Sequence, residues 1–202
     1  MTKSCTYYLA PQSPYVYLGH ARFTALAKKQ AVEVDIRPFD LGRVFGTSGG
    51  LPLAKRAPQR QAYRLVELER WSRHLGVPLN LHPAFFPVAG DPAARLIIAA
   101  KLDQGTDAAM RLTADIGRAV WAEERNIADA DTLSAIVAAA GLDAAALMQS
   151  AGSAAVQAEY DRYTDDAIAA NVFGAPWYIV DGVGYWGQDR LDFVERALQQ
   201  QA

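Results

Sequence analysis

Apolar and polar positions follow two different periods along this chain. Thr6-Tyr7-Tyr8-Leu9 is short, aromatic and β-prone, and Ala10-Pro11-Gln12 breaks it. Ser13-Pro14 then has the chemistry of a helix N-cap followed by its first turn. Leu18, Ala21, Phe23, Ala25 and Leu26 continue as a partly buried helix. Val32-Glu33-Val34-Asp35-Ile36 alternates at period two and reads as a second strand, so the opening is a βαβ unit with a right-handed crossover. Residues 45–58, rich in Gly and Pro, read as loop. Helical periodicity follows over 59–75, stopped by Gly76 and Pro78, and again over 93–102, 108–122, 132–140, 143–150 and 154–171. His82-Pro83 and Phe86-Pro87 mark an irregular stretch between the first two of these. The tail returns to strands: Trp177–Val180 is continuously apolar, Asp181-Gly182 is a hairpin turn signal, Val183–Trp186 pairs back, and a final helix opens near Gly187. The order βαβ, helical block, ββα predicts an α/β protein: a thioredoxin-like core, residues 1–45 and 170–202, interrupted by an all-helical insertion, residues 46–169. Both ends of the chain must then meet in one sheet.

Composition narrows the function classes. The chain has 202 residues, 51% of them hydrophobic, with a formal net charge of −2. It lacks the basic surplus of a nucleic-acid binder. No apolar run approaches the roughly 20 residues of a membrane span. The first residues lack the charged start and long apolar middle of a secretion signal, so a cytoplasmic location is expected. Cys5 is the only cysteine, which excludes an intramolecular disulfide and dithiol redox chemistry within one chain; in an apolar strand it reads as a small buried residue. His20, His74 and His82 show no metal-ligand spacing, and no metal is expected.

The candidate chemistry sits where the first strand meets the first helix. Ser13 offers a hydroxyl where a dithiol protein would offer Cys-x-x-Cys. Far along the chain, Phe173-Gly174-Ala175-Pro176-Trp177 introduces a strand with a proline at the place where a thioredoxin-type fold sets a cis-proline. Such a pair can handle a thiol. A free thiol of pKa roughly 8.5 is mostly protonated at pH 7. A hydroxyl donor and the N–H groups of a helix start both favour the thiolate. Proline supplies no N–H of its own, and a cis bond would turn the backbone of Ala175 toward a peptide-like ligand that pairs as a short added strand. Lys55, Arg56, Arg60 and Arg64 form a basic patch, read mostly as a solvated helix face with Arg60 as the exception. Phe85 and Phe86 are candidates to wall an aromatic pocket.

Together the segments Ser13-Pro14-Tyr15-x-Tyr17-Leu18, Asp40-Leu41-Gly42-Arg43-Val44, Gly76-Val77-Pro78, His82-Pro83-x-Phe85-Phe86-Pro87, Val172-Phe173-Gly174-Ala175-Pro176 and Trp186-Gly187-Gln188-Asp189-Arg190-Leu191 resemble the 2-hydroxychromene-2-carboxylate isomerase family, a kappa-class glutathione transferase group with a DsbA-like fold. The resemblance implies glutathione as cofactor, with catalytic Ser13 facing its sulfur. It implies that the backbone of Ala175, before Pro176, pairs with the cysteinyl unit, that Gln188 and Asp189 hold the γ-glutamyl end, and that Arg60 meets a carboxylate. Two departures stand out: Gly50 occupies the position of a family Asn, and Ala10 that of a family Asp. A homodimer is expected from the resemblance. The implied activity is glutathione-dependent cis/trans isomerisation of an aromatic-catabolite enone such as 2-hydroxychromene-2-carboxylate, by reversible thiolate addition. The alternatives are a kappa-type transferase that releases a glutathione conjugate, and a thioredoxin-fold binding module without chemistry.

Overall fold

The computed structural model describes residues 3–201, and both ends of the chain do meet in one four-stranded sheet of order β2-β1-β3-β4. Strand β1 is Ser4–Leu9, β2 Glu33–Pro38, β3 Trp177–Val180 and β4 Val183–Trp186. Strand β1 pairs in parallel with β2, Cys5 opposite Val34 and Leu9 opposite Pro38. On its other side β1 runs antiparallel to β3, with Tyr7 opposite Tyr178, and β3 continues antiparallel to β4. The hairpin turn is as the Asp-Gly pair predicts: Asp181 and Gly182 both take positive φ, 49° and 76°.

Helix α1, Pro14–Lys29, follows β1 directly. Ser13 is its N-cap, in extended conformation, with Oγ accepting from the Val16 N–H. The period-two pattern of the central strand separates its aromatic side chains. Tyr7 stacks on Tyr178, ring centroids 5.2 Å apart, and both meet Phe23 of α1. Tyr8, on the opposite side of the pleat, meets Phe39 edge-on. The remaining helices are α2 Leu41–Ser48, α3 Pro58–Leu75, α4 Asp91–Gln104, α5 Thr106–Trp121, α6 Ala130–Ala139, α7 Ala144–Ala151, α8 Ala154–Ala169 and α9 Leu191–Gln200. Helices α4, α5 and α8 pack against β2, whereas α9 packs against β3 and α1. One buried apolar cluster runs from Cys5 to Leu198 through the sheet and the helical block. Among the described residues no helix is long and apolar enough to cross a membrane.

The expected loop over 45–58 is partly wrong. Helix α2 fills its first residues because Asp40 caps it twice, Oδ1 accepting from Gly42 and Arg43 N–H at 2.8 and 3.1 Å. Val44 anchors it in the core, and Gly49 ends it in left-handed conformation at φ 76°. The anticipated boundary at residue 45 therefore falls inside a helix.

Candidate active site

The turn from β1 into α1 is tight: Ser13 N–H donates to Ala10 O at 2.9 Å, which brings the Ser13 side chain back over the sheet end. There it meets a segment 162 residues away. The Ala175–Pro176 peptide bond is cis, and Ser13 Oγ donates to Ala175 O at 3.5 Å. Ser13 is only 8% exposed. Both of its hydrogen bonds are long, 3.5 Å to Ala175 O and 3.4 Å from Val16 N–H, near the limit of the interaction. A better acceptor arriving at this hydroxyl therefore displaces little. Two backbone donors are available around it. Among the described residues neither the Tyr15 N–H, in the first turn of α1, nor the Ala175 N–H has an acceptor. A hydroxyl, a helix-start N–H and an unpaired strand-edge N–H together suit an anionic sulfur on a peptide-like carrier.

A short 3-10 turn, Gln188–Arg190, lies beside this point because Gly187 N–H donates to Pro176 O at 2.9 Å. Gly187 has φ 105°, a conformation that favours glycine, and the Asp189 carboxylate lies close against its Cα. Gln188 is 2% exposed; its Oε1 accepts from Arg22 Nη1 at 3.0 Å and its backbone packs against Gly19 of α1. Its amide oxygen is thus used to fix the turn on α1, leaving Nε2 as its donor. Asp189 is exposed and paired with Arg190 at 2.7 Å. Neither residue caps α9, whose N-cap is Arg190 with no side-chain bond.

The basic patch divides differently from the sequence expectation. Arg60 is exposed in the first turn of α3, and Gly50 lies in the turn after α2, where a Cβ would run into the Phe45 ring at 2.2 Å. An Asn at position 50 would need Phe45 to move. Arg64, one turn beyond Arg60, is the inward residue. It shares a helix face with Leu68, the fully buried residue of α3. Its guanidinium lies over the rings of Phe86 and Trp121, with Cζ 5.1 and 5.7 Å from their centroids. Sequence periodicity alone missed this residue; counting four back from Leu68 would have found it. Arg64 lines a cavity of about 300 Å³ with Leu65, Leu81, His82, Pro83, Phe86 and Pro87. Phe86 thus walls a pocket as anticipated, while Phe85 is exposed. Burial pushes the Tyr15 phenol pKa up, partly opposed by the charge of Arg64 and reinforced by that of Glu67. Among the described residues no group of three or more His, Cys, Asp or Glu is placed to hold a metal.

The DSBA-like thioredoxin domain family matches residues 7–199. A 2-hydroxychromene-2-carboxylate isomerase from Sphingobium xenophagum is 31% identical over 199 residues, covering 98% of this chain and 99% of the relative. Glutathione S-transferase kappa 2 of Caenorhabditis elegans is 26% identical over 196 residues, covering 89% of this chain and 84% of the relative. A solved 2-hydroxychromene-2-carboxylate isomerase structure superposes with a TM-score of 0.81 at 27% identity, covering 98% of this chain and 95% of that one. The chain belongs to the DsbA-like thioredoxin-domain family and, within it, to the 2-hydroxychromene-2-carboxylate isomerases.

Proposed function

We propose that this protein is a glutathione-dependent cis/trans isomerase of 2-hydroxychromene-2-carboxylate or a closely related aromatic enone. The observation that carries the reading is the meeting of Ser13 Oγ with Ala175 O beside Pro176. The hydroxychromene ring first opens, its C2–O bond breaking to give a phenol and a conjugated enone; the thiolate of bound glutathione adds reversibly to that enone, frees the former double bond to rotate, and leaves again with no net redox change. Ser13 donates a hydrogen bond from its hydroxyl to the sulfur anion and holds it at the α1 N-terminus, where the Tyr15 N–H adds a second donor. Ala175 offers its N–H and C=O to the peptide, Asp189 its carboxylate to the α-ammonium group, and Gln188 Nε2 to a carboxylate. Serine suits this role because it stabilises a thiolate without forming a disulfide with it. One charge-assisted hydrogen bond is worth about 1.5–3 kcal/mol, or roughly one to two pKa units. That moves a thiol of ordinary pKa to near neutrality.

The likeness to a kappa-class transferase favours a second reading, conjugation of glutathione to an electrophile that retains it. Incubation with glutathione and 2-hydroxychromene-2-carboxylate, with isomer and conjugate followed separately, distinguishes them. Isomer turnover that requires glutathione supports the isomerase. A conjugate alone supports the transferase. Neither product, with no glutathione binding at millimolar concentration, leaves a binding module.

A further inference from the structure

The arginines of this chain generally find carboxylates: Arg37 binds Asp35 and Asp166, Arg43 binds Asp161 and Asp165, and Arg162 binds Glu159 and Asp166. Arg64 does not. Although half-buried, it has no hydrogen bond and no ion pair among the described residues, and one of its Nη atoms is shielded from solvent with no acceptor. The indole Nε1 of Trp121, in the ring that the guanidinium overlies, is also buried without an acceptor. A half-buried cation and a neighbouring N–H, both lacking an acceptor in a mostly apolar corner, are costly unless an anion completes them. The guanidinium is also held in place. Phe86 and Trp121 support it from their ring faces, so little side-chain freedom remains to be lost on binding. The cavity it lines is mainly apolar, with Leu65, Leu81, Phe86 and Pro87 in its wall and Gln61 and His82 as its other polar side chains, and at about 300 Å³ it lies at the small end of the ~300–1,000 Å³ typical of small-molecule sites. That is room for one aromatic ring and a short acid arm.

We propose that Arg64 anchors the carboxylate of an aromatic acid substrate whose ring packs in this cavity against Phe86 and Pro87. The isomerase reading supplies only the identity of the acid; the anchor itself is argued from the unpaired cation and its cavity. A carboxylate could also arrive on glutathione, so the test separates the two sources. Binding of 3-phenylpropanoate and of its primary amide is measured by calorimetry without any turnover, alongside binding of glutathione, for the wild type, Arg64→Met and Arg64→Lys. The wild type is expected to favour the acid over the amide by about 10- to 100-fold, the size of one charge-assisted pair. Arg64→Met is expected to abolish that preference while leaving amide and glutathione affinities within about 3-fold, and Arg64→Lys to restore part of it. The proposal is overturned if Arg64→Met keeps the preference, or if it loses glutathione affinity while keeping acid binding. A wild type without the preference overturns it too, and that arm needs no variant to fold. Absence of isomer turnover with the acid preference intact would refute the isomerase reading and leave the anchor standing.

Discussion

Lowering the pH from 7 to 5 should destabilise this protein through one residue, His20. The ring lies on α1 with 3% of its surface exposed. It is fixed at both nitrogens, 2.8 Å from Met110 O and 3.2 Å from Tyr7 Oη. The arrangement that satisfies both has Nε2–H donating to the carbonyl and Nδ1 accepting from the phenol, a neutral tautomer with no place for a second proton. Burial pushes the pKa down to about 4, only partly opposed by the Met110 carbonyl. In the unfolded chain the ring titrates near 6.5. Because the folded value is the lower one, the unfolded state binds the proton more tightly. The stabilisation is complete above about pH 6.5 and is lost as pH falls from there toward 4. At about 1.36 kcal/mol per pKa unit the full loss is roughly 3 kcal/mol, of which about 2 kcal/mol falls between pH 7 and 5. For a chain of this size that lowers Tm by roughly 4–8 °C. Urea unfolding at half-unit pH steps measures it. His20→Gln, whose amide can donate to Met110 and accept from Tyr7 without titrating, should be flat over the same window. A flat wild-type profile between pH 7 and 5, or an unchanged slope in His20→Gln, would refute the reasoning.

Other expectations follow from the same packing. Cys5 is 1% exposed and burial pushes its thiol up to about 12, so the native protein should not react with a disulfide-exchange reagent at pH 8, whereas the urea-unfolded chain should react with one equivalent. A Cβ at Gly19 would lie 2.6 Å from Gln188 Cβ, so Gly19→Ala should push the Gln188–Arg190 turn off α1. Calorimetry should then find glutathione affinity at least about 10-fold weaker, with stability lower by about 1–3 kcal/mol, as overpacking usually costs.

The sheet was legible because each strand carries its own signal. Val32–Ile36 alternates, Trp177–Val180 is apolar throughout, and Asp181-Gly182 takes the positive φ values that other residue pairs resist. Ser13-Pro14 announced the start of α1 by the same local chemistry. Helix α2 was hidden because its eight residues include two glycines and its stability comes from the Asp40 cap and the burial of Val44, neither of which is periodic. That Arg64 rather than Arg60 turns inward was hidden for a different reason. Ala62, Leu65, Val66, Leu68 and Trp71 spread over more than half the circumference of α3, and Ala62 and Val66 prove to be exposed. Which face of that helix turns inward is decided by the rings of Phe86 and Trp121, which arrive from elsewhere in the chain. His20 was silent for the same reason: its partners, Tyr7 and Met110, lie on β1 and α5.

The thiol pKa of glutathione bound to the wild type and to Ser13→Ala, followed by thiolate absorbance in the ultraviolet, tests the central claim most directly. The account predicts a wild-type value near neutrality and a rise of about one to two units in the variant, with isomer turnover down about 10- to 100-fold and a stability loss of at most about 1 kcal/mol from the weakened cap. An identical thiol pKa in both proteins would contradict it.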